Sequence, residues 1–285
     1  MIKIVTDSTA YLPEEIVQRY GIHVIPLNVL FGNRIYKEGL DLSYEQFYQK
    51  LAQAKNLPTT SQPAVGEFYD LYSELTRDGS EVISIHISSK ISGTIDSALM
   101  ACKELPDALI SVVDSLSTAI GLELMVIAAA EAVSAGQSRA EVVAMLERMA
   151  RETRLFFVVD TLEYLQKGGR IGGAAALVGT LLNVKPILCF KDGRIEALEK
   201  VRTKRKAVNR LLDVMVEEIG SDEPVRVAIG HAMAPEEGQA LLERARSRLN
   251  CTASYLAQIG PVIGTHAGPG ALGMAACTER VIQGE

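Results

Sequence analysis

The sequence predicts an α/β protein of two domains, and three features carry this prediction. The chain has 285 residues, too many for one typical core and enough for two modest ones. Short runs of Ile, Val and Phe alternate with longer helical patterns in its first part, as in a parallel sheet covered on both faces. Near residue 160 the pattern changes to a hairpin followed by strands and helices. We therefore expect an N-terminal α/β domain over residues 1–158 and a C-terminal α+β domain over residues 159–285.

The first domain is predicted as a doubly wound parallel sheet. Its strands are apolar throughout and bounded by polar residues, at 2–6, 82–87, 110–113 and 155–159. Helical patterns lie between them, at 13–20, 44–54, 67–76, 94–104 and 118–135.

The second domain is predicted to contain a mixed sheet. Residues 186–202 form a strand, an Asp-Gly turn at Asp192-Gly193 and a second strand, which is typical of an antiparallel hairpin. Further strands are expected at 225–229, 253–259 and 262–266, with helices at 204–219 and 235–249.

Composition narrows the possible functions. Hydrophobic residues make up 48% of the chain, but aromatics only 5%, with no Trp. The interior is therefore mainly aliphatic, which suits an alkyl ligand and an ordinary α/β core equally. A net charge of -6 argues against binding to nucleic acid. The four cysteines show no CxxC pairing, which disfavours a zinc site and a disulfide framework, and we expect neither metal nor cofactor.

No targeting segment is expected. The first apolar run stops at polar residues and lacks the long apolar region of a signal peptide. The longest apolar stretch, residues 121–133, is interrupted by Glu123 and Glu131 and is shorter than the ~20 residues that span a bilayer. We therefore expect a cytoplasmic protein.

Two segments rich in hydroxyl groups are candidates for a binding site. Thr59, Thr60 and Ser61 lie between two prolines just before a helical pattern, where they can cap the helix or donate to a ligand oxygen. Residues 86–94 run from the end of a predicted central strand into a helix and include Ser92, Gly93 and Thr94. Ligands bind at such strand ends, and a helix N-terminus favours a carboxylate or phosphate, although capping also explains a serine there.

Two glycine-rich segments are the other candidates. Residues 167–173 carry Arg170 among four glycines, which indicates an anion-binding nest, a mobile loop or a flexible interdomain turn before an apolar helical pattern at 174–182. Residues 268–273 match GxGxxG, but only 12 residues follow, too few for the acidic residue of a dinucleotide site. His266 lies between glycines and is interpreted as a loop imidazole at a ligand, or else as a core histidine.

Signatures of enzymes are missing from the sequence. It has no HExxH, GxxxxGK[ST] or GxSxG motif, and the nearest serine match, residues 136–140, lies between helices. A basic cluster at residues 200–210 is either a solvated helix face or a docking patch for an acidic partner or an anionic membrane.

Six motifs taken together resemble the DegV family over essentially the whole chain. They begin at Asp7, Thr60, Ser88, Lys167, Asn183 and Gly264 and occur in this order. The resemblance implies two α/β domains with a long-chain fatty acid between them. It also implies that the protein is the binding subunit of a bacterial fatty-acid kinase rather than an enzyme itself.

The resemblance further implies the roles of individual residues. Thr60 and Ser92 would hold the fatty-acid carboxylate, and Arg170 and His266 would complete a polar network at the mouth of the pocket. Support would come from Ser61, Gly93 and Thr94. A separate kinase subunit would phosphorylate the bound acid to an acyl-phosphate that feeds phospholipid synthesis.

Two alternatives remain open from the residues. A serine acyl hydrolase or acyltransferase would use Ser92 as nucleophile and His266 as base. A binder of phosphorylated metabolites would use the loop at residues 167–173.

Overall fold

A computed structural model describes residues 1–179 and 184–284. Elements are numbered in chain order. The first sheet is four-stranded and parallel, in the order β2-β1-β6-β7. Its strands are β1 (Ile2–Asp7), β2 (His23–Ile25), β6 (Glu81–His86) and β7 (Ile110–Asp114). The predicted parallel sheet is confirmed, with three of the four predicted strands in it.

Six helices belong to this first part of the chain. They are α1 (Glu14–Tyr20), α2 (Tyr44–Gln53), α3 (Val65–Thr76), α4 (Thr94–Lys103), α5 (Ala119–Ser134) and α6 (Arg139–Glu152). A short 3₁₀ helix, Ser8–Ala10, follows β1. Helix α5 is buried along almost its whole length, because it packs on β1 and β6 of the first sheet and on strands of a second sheet.

A small antiparallel sheet, which the sequence pattern did not predict, lies beside the first. It consists of β3 (Asn28–Phe31), β4 (Arg34–Lys37) and β5 (Thr59–Ser61), with β3 in the middle. The hydroxyl run at Thr59–Ser61 is therefore a strand and does not cap the next helix. Helix α3 begins after Ala64, whose N–H donates to the Glu67 carboxylate at 2.8 Å.

The second large sheet is mixed, as predicted, and has six strands in the order β10-β9-β8-β13-β11-β12. All neighbours are antiparallel except β11 and β12. Its strands are β8 (Arg154–Val158), β9 (Lys185–Lys191), β10 (Arg194–Val201), β11 (Val225–His231), β12 (Cys251–Gln258) and β13 (Leu272–Thr278). The predicted hairpin is confirmed as β9 and β10, and its turn residues Asp192 and Gly193 have φ of 50° and 78°.

The remaining helices surround this sheet. They are α7 (Glu163–Lys167), α8 (Lys204–Ile219), α9 (Pro235–Arg248), α10 (Pro261–Ala267) and α11 (Glu279–Gln283), with a 3₁₀ helix at Gly172–Leu177. No helix in the described residues combines the length and apolar character needed to cross a membrane.

Three predicted elements differ from the structure. The strand at 155–159 pairs with β9 and β13 and so lies in the second sheet, not the first. The strand predicted at 262–266 is the helix α10, and the strand that follows is β13. The helical pattern at 174–182 is a 3₁₀ helix as far as Leu177, and its last three residues lie outside the described ranges. The domain boundary at 158/159 stays a prediction, since sheet membership changes already before Arg154.

Candidate ligand-binding site

A cavity lies between the two halves of the chain. Its empty volume, including the open mouth, is about 930 Å³. Its walls are mainly aliphatic and come from the second large sheet, the loop after β6, α5, α10 and the small sheet. Representative wall residues are Leu27, Ile120, Leu155, Phe157, Ile259 and Leu272. The walls therefore suit an apolar group.

Polar side chains gather at one part of this cavity. Thr60, Ser92, Arg170 and His266 all line it, although they are separated by up to 206 residues in the chain. Thr60 is the middle residue of β5, and its Oγ1 lies 2.8 Å from Nε2 of His266. The fold thus brings together four of the seven residues predicted for the site as its polar end.

His266 is uncharged at neutral pH. It lies in the last turn of α10 and is only 9% exposed. Burial, with a smaller contribution from the positive charge of Arg170, lowers the pKa of His266 to about 4. If Nε2 carries the proton, it donates to Thr60 and leaves the threonine hydroxyl free to donate to a ligand.

Close packing holds the imidazole in place. A Cβ on Gly168 would lie 2.2 Å from Nδ1 of His266, so glycine is needed at that position. Nδ1 itself is buried and has no hydrogen-bond partner in the described part of the chain. The ring therefore has little freedom to turn away from Thr60.

Arg170 supplies the positive charge of the site. Its Nε donates to the carbonyl of Ile91 at 3.1 Å and its Nη1 to the carbonyl of Gly168 at 2.8 Å. Arg170 forms no ion pair within residues 1–179 and 184–284. Two backbone contacts fix the guanidinium, and its remaining N–H groups can bind an anionic ligand.

The glycine-rich loop around Arg170 packs tightly against the hairpin. Gly172 has φ of 53°, and a Cβ there would lie 2.2 Å from the carbonyl oxygen of Ile195 on β10. Only glycine fits such an approach. The glycine run is thus explained in part by contact with β10, which positions the arginine.

Ser92 is oriented by the start of α4. Its Oγ lies 2.9 Å from Oγ1 of Thr94 and accepts the Thr94 N–H at 3.3 Å. Gly93 and Thr94 do not line the cavity; Thr94 is fully buried behind Ser92. A Cβ on Gly93 would lie 2.5 Å from Nε2 of Gln62, so Gly93 allows that amide to approach. Their place is therefore beside Ser92 rather than in the cavity wall.

The small sheet places the other polar groups. Ser61 lines the cavity, and its Oγ accepts from the Asn28 side chain at 3.3 Å. Gln62 also lines the cavity, yet it was not among the predicted site residues. Its position in the same run as Thr60, between two prolines, was the available signal.

A buried network behind the cavity holds the Ser92 loop, and sequence reasoning did not assign it a function. One carboxylate oxygen of Asp7 accepts the Ile87 N–H at 2.9 Å and contacts His86 Nδ1 at 3.0 Å. Nε2 of His86 lies 2.7 Å from the Ser84 hydroxyl, and all three side chains are fully buried. His86 is thus a core histidine that fixes the end of β6, from which the loop to Ser92 starts.

The sequence is similar to those of a known protein family. A family model described as "Uncharacterised protein, DegV family" matches residues 1–279. Protein DegV of Bacillus subtilis is 40% identical over 277 residues, covering 97% of this chain and 99% of the relative. The chain belongs to the DegV family.

Solved structures of other DegV-family proteins share the fold. A DegV-family protein from Thermus thermophilus, described by its fatty-acid binding, superposes with a TM-score of 0.93 at 37% identity, covering 97% of this chain and 99% of the other. A stearic-acid-binding protein from Eubacterium ventriosum gives a TM-score of 0.92 at 28% identity, with both chains covered completely. The predicted two-domain α/β fold is confirmed.

The geometry of this DegV-family chain does not assemble the nucleophile and base of a serine hydrolase. The Ser92 hydroxyl is paired with Thr94, whereas Nε2 of His266 is paired with Thr60. A serine nucleophile is activated by a base within hydrogen-bond reach, whereas each of these two side chains is paired with a threonine.

Proposed function

We propose that this chain binds a long-chain fatty acid in the aliphatic cavity and holds its carboxylate at Thr60, Ser92, Arg170 and His266. The observation that supports this most strongly is that an apolar cavity ends in one cluster of two hydroxyls, a neutral imidazole and an arginine that has no ion-pair partner among the described residues. Ser61, Gly93 and Thr94 support the cluster. The solved relatives described as fatty-acid-binding proteins support the same assignment.

The energetics of such a ligand are favourable. Transfer of ~15 methylene and methyl groups at ~0.8 kcal/mol each contributes roughly 12 kcal/mol before the costs of association. An unpaired buried carboxylate would cost several kcal/mol. Hydrogen bonds to a charged acceptor and the Arg170 charge offset that cost.

We further propose that the bound acid is presented to a separate kinase subunit, as the family resemblance implies. A polar groove lined by Ser89, Lys90, Asp96 and Arg194 shares Ser92 and Arg170 with the cavity. A phosphoryl donor reaching the carboxylate through this groove would meet two further cations. The acyl-phosphate so formed would feed phospholipid synthesis, and the chain itself would catalyse no step.

We also propose a cytoplasmic location and transient contact with an anionic membrane surface. Both suit a carrier of fatty acids. The basic cluster at 200–210 offers limited support for membrane contact, because Lys204 is paired with Glu237 at 3.0 Å and Arg210 with Glu199 at 2.7 Å.

Extraction of lipid from the purified protein tests the proposal. Protein made in bacteria should release C16 to C18 fatty acids on solvent extraction, close to one per chain, with no change in the mass of the polypeptide. Recovery of no lipid, or of phosphorylated metabolites instead, would count against it. A covalent acyl adduct on Ser92 would favour the hydrolase alternative.

A further inference from the structure

Glu38 is a buried acidic residue that the site described above does not include. It follows β4, is 3% exposed, and lies among the 3₁₀ helix Ser8–Ala10, α2 and the start of α10. None of the ion pairs in the described ranges includes Glu38. A buried carboxyl group is costly unless other groups stabilise it.

Three hydrogen-bond donors converge on the Glu38 carboxyl group. The Ser8 hydroxyl donates to Oε2 at 2.6 Å, and the Tyr11 hydroxyl donates to Oε1 at 3.2 Å. The backbone N–H of Val262, in the first turn of α10, donates to Oε1 at 2.7 Å. The arrangement suits an ionised carboxylate, which only accepts hydrogen bonds.

The same group of residues fixes the start of α10 at two further points. The Tyr11 hydroxyl accepts the N–H of Ile263 at 3.1 Å, and the Tyr48 hydroxyl donates to the carbonyl of Ile259 at 2.9 Å. The first N–H groups of a helix have no partner within the helix, and Glu38 and Tyr11 accept two of them in α10. Val262 and Ile263 also line the cavity.

His266 lies about one turn further along this short helix and contacts Thr60. A helix of two turns moves as a unit, so a shift of its first turn is transmitted to the imidazole. Glu38 is therefore connected to the polar end of the cavity through one rigid element.

We propose that Glu38 is a positioning residue for the ligand site: its ionised carboxylate holds the first turn of α10 and thereby keeps His266 against Thr60. The inference rests on the proposed function, because it concerns the affinity of the same cavity for a fatty acid.

The charge of Glu38 depends on pH near neutrality. Burial raises the pKa of Glu38 to about 7, against the lowering effect of its three hydrogen bonds, and Asp7 raises it further. The other titratable groups facing it are Tyr11, Tyr44 and Tyr48, whose pKa values are all raised, so they remain neutral.

Protonation of Glu38 weakens its hold on α10. A neutral carboxyl is a weaker acceptor for the Val262 N–H than a carboxylate, and it must itself donate one hydrogen bond. At least one of the three contacts is then lost or reversed. Fatty-acid affinity should therefore be high above pH 7 and fall as the pH drops through about 7. His266 does not titrate there, since its pKa is about 4.

Binding of a fluorescent C18 fatty acid between pH 6.0 and 8.5 tests this inference. The native protein should lose about tenfold in affinity over this range, the equivalent of one hydrogen bond. Glu38→Gln should bind weakly at every pH, with a flat profile. The exposed Glu45→Gln on α2 is the matched control and should follow the native curve. Titration of the ligand itself is common to all variants and cancels in the comparison.

Ser8→Ala provides a second test that does not depend on loss of the carboxylate. The Ser8 hydrogen bond lowers the pKa of Glu38, so its removal should move the midpoint of the affinity profile to higher pH. If circular dichroism shows that Glu38→Gln does not fold, the shift of the midpoint in Ser8→Ala still tests the inference. An unchanged midpoint in Ser8→Ala, or a Glu38→Gln profile identical to the native one, overturns the inference. If the native protein binds no fatty acid at pH 8.5, the proposed function itself fails.

Discussion

Arg170 is the permanent charge at the polar end of the cavity, and the groups around it are neutral. His266 is kept uncharged by burial, and Thr60 and Ser92 contribute hydroxyls. Neutral donors stabilise a carboxylate through hydrogen bonds. Each hydrogen bond to a charged group is worth about 1.5–3 kcal/mol. Such a site can retain the ligand while leaving a carboxylate oxygen reactive.

Replacement of Ser92 by Ala tests the hydroxyl at this site. Fatty-acid binding should weaken by about 1 to 3 kcal/mol, because the carboxylate loses a hydrogen-bond donor at a half-buried position. Titration calorimetry measures the change. Ser89→Ala removes an exposed hydroxyl from the same loop and should have no effect. Equal affinities for both variants would place the carboxylate elsewhere.

Glu123 is a second buried acid, and unlike Glu38 it receives no hydrogen bonds in the described part of the chain. It lies in α5, is fully buried, and neither carboxyl oxygen has a hydrogen-bond partner in the described part of the chain. Burial raises the pKa of Glu123 well above its usual 4.5. The folded state therefore keeps a proton that the unfolded chain releases above pH 4.5. The contribution of Glu123 to the free energy of unfolding declines as the pH rises above that value.

Substitution of Glu123 by Gln should remove this decline. The free energy of unfolding of the variant, relative to the native protein, should increase from pH 5 to pH 8, as measured by urea denaturation. Glu147→Gln, an exposed change on α6, is the control. Parallel curves for Glu123→Gln and the native protein would show that the carboxyl is not held neutral.

At the scale of elements, α10 shows where the sequence pattern was misleading. Residues 262–266 include three β-branched residues around Gly264, a composition that predicts a strand. The chain forms a helix there because its first N–H groups find acceptors on Glu38 and Tyr11, more than 220 residues away. No local pattern can reveal such partners.

The strands β5 and β13 were missed for related reasons. β13 is rich in Gly, Ala and Met, which have low strand propensity, yet it occupies the centre of the second sheet. β5 has three residues and exists only by pairing with β3. By contrast, β1, β6 and β7 are local apolar runs and were predicted correctly.

Substitutions at two helix glycines, one in α10 and one in α3, test the packing of α10. A Cβ on Gly264 would lie 2.6 Å from the Tyr48 hydroxyl, whereas a Cβ on Gly66 in α3 would meet open space. Gly264→Ala should therefore lower the melting temperature and weaken fatty-acid binding. Gly66→Ala should be neutral or raise stability by up to about 1 kcal/mol, because alanine favours the helix. Thermal unfolding and ligand titration measure both, and similar behaviour of the two variants would contradict the packing described for α10.

At the scale of the molecule, one apolar core around the cavity joins the first half of the chain to the second large sheet. This cluster joins Leu27 and Phe47 of the first half to Leu188 and Ala275 of the second, with Ile120 of α5 between them. The sequence predicted two units from its change of pattern, and it predicted five cavity residues from hydroxyl, glycine and histidine motifs. It could not predict the cavity itself, because the walls are ordinary aliphatic residues that become neighbours only on folding.

The central claim is that the cavity binds an alkyl chain and the polar cluster recognises its carboxylate. The most direct measurement compares the affinities of palmitate and hexadecanol, which have the same chain length and different head groups, for protein freed of lipid. Palmitate should bind at least tenfold more tightly than hexadecanol in the native protein, and Ser92→Ala should reduce this ratio. Equal affinities for the two ligands, or no binding of either, would contradict the account.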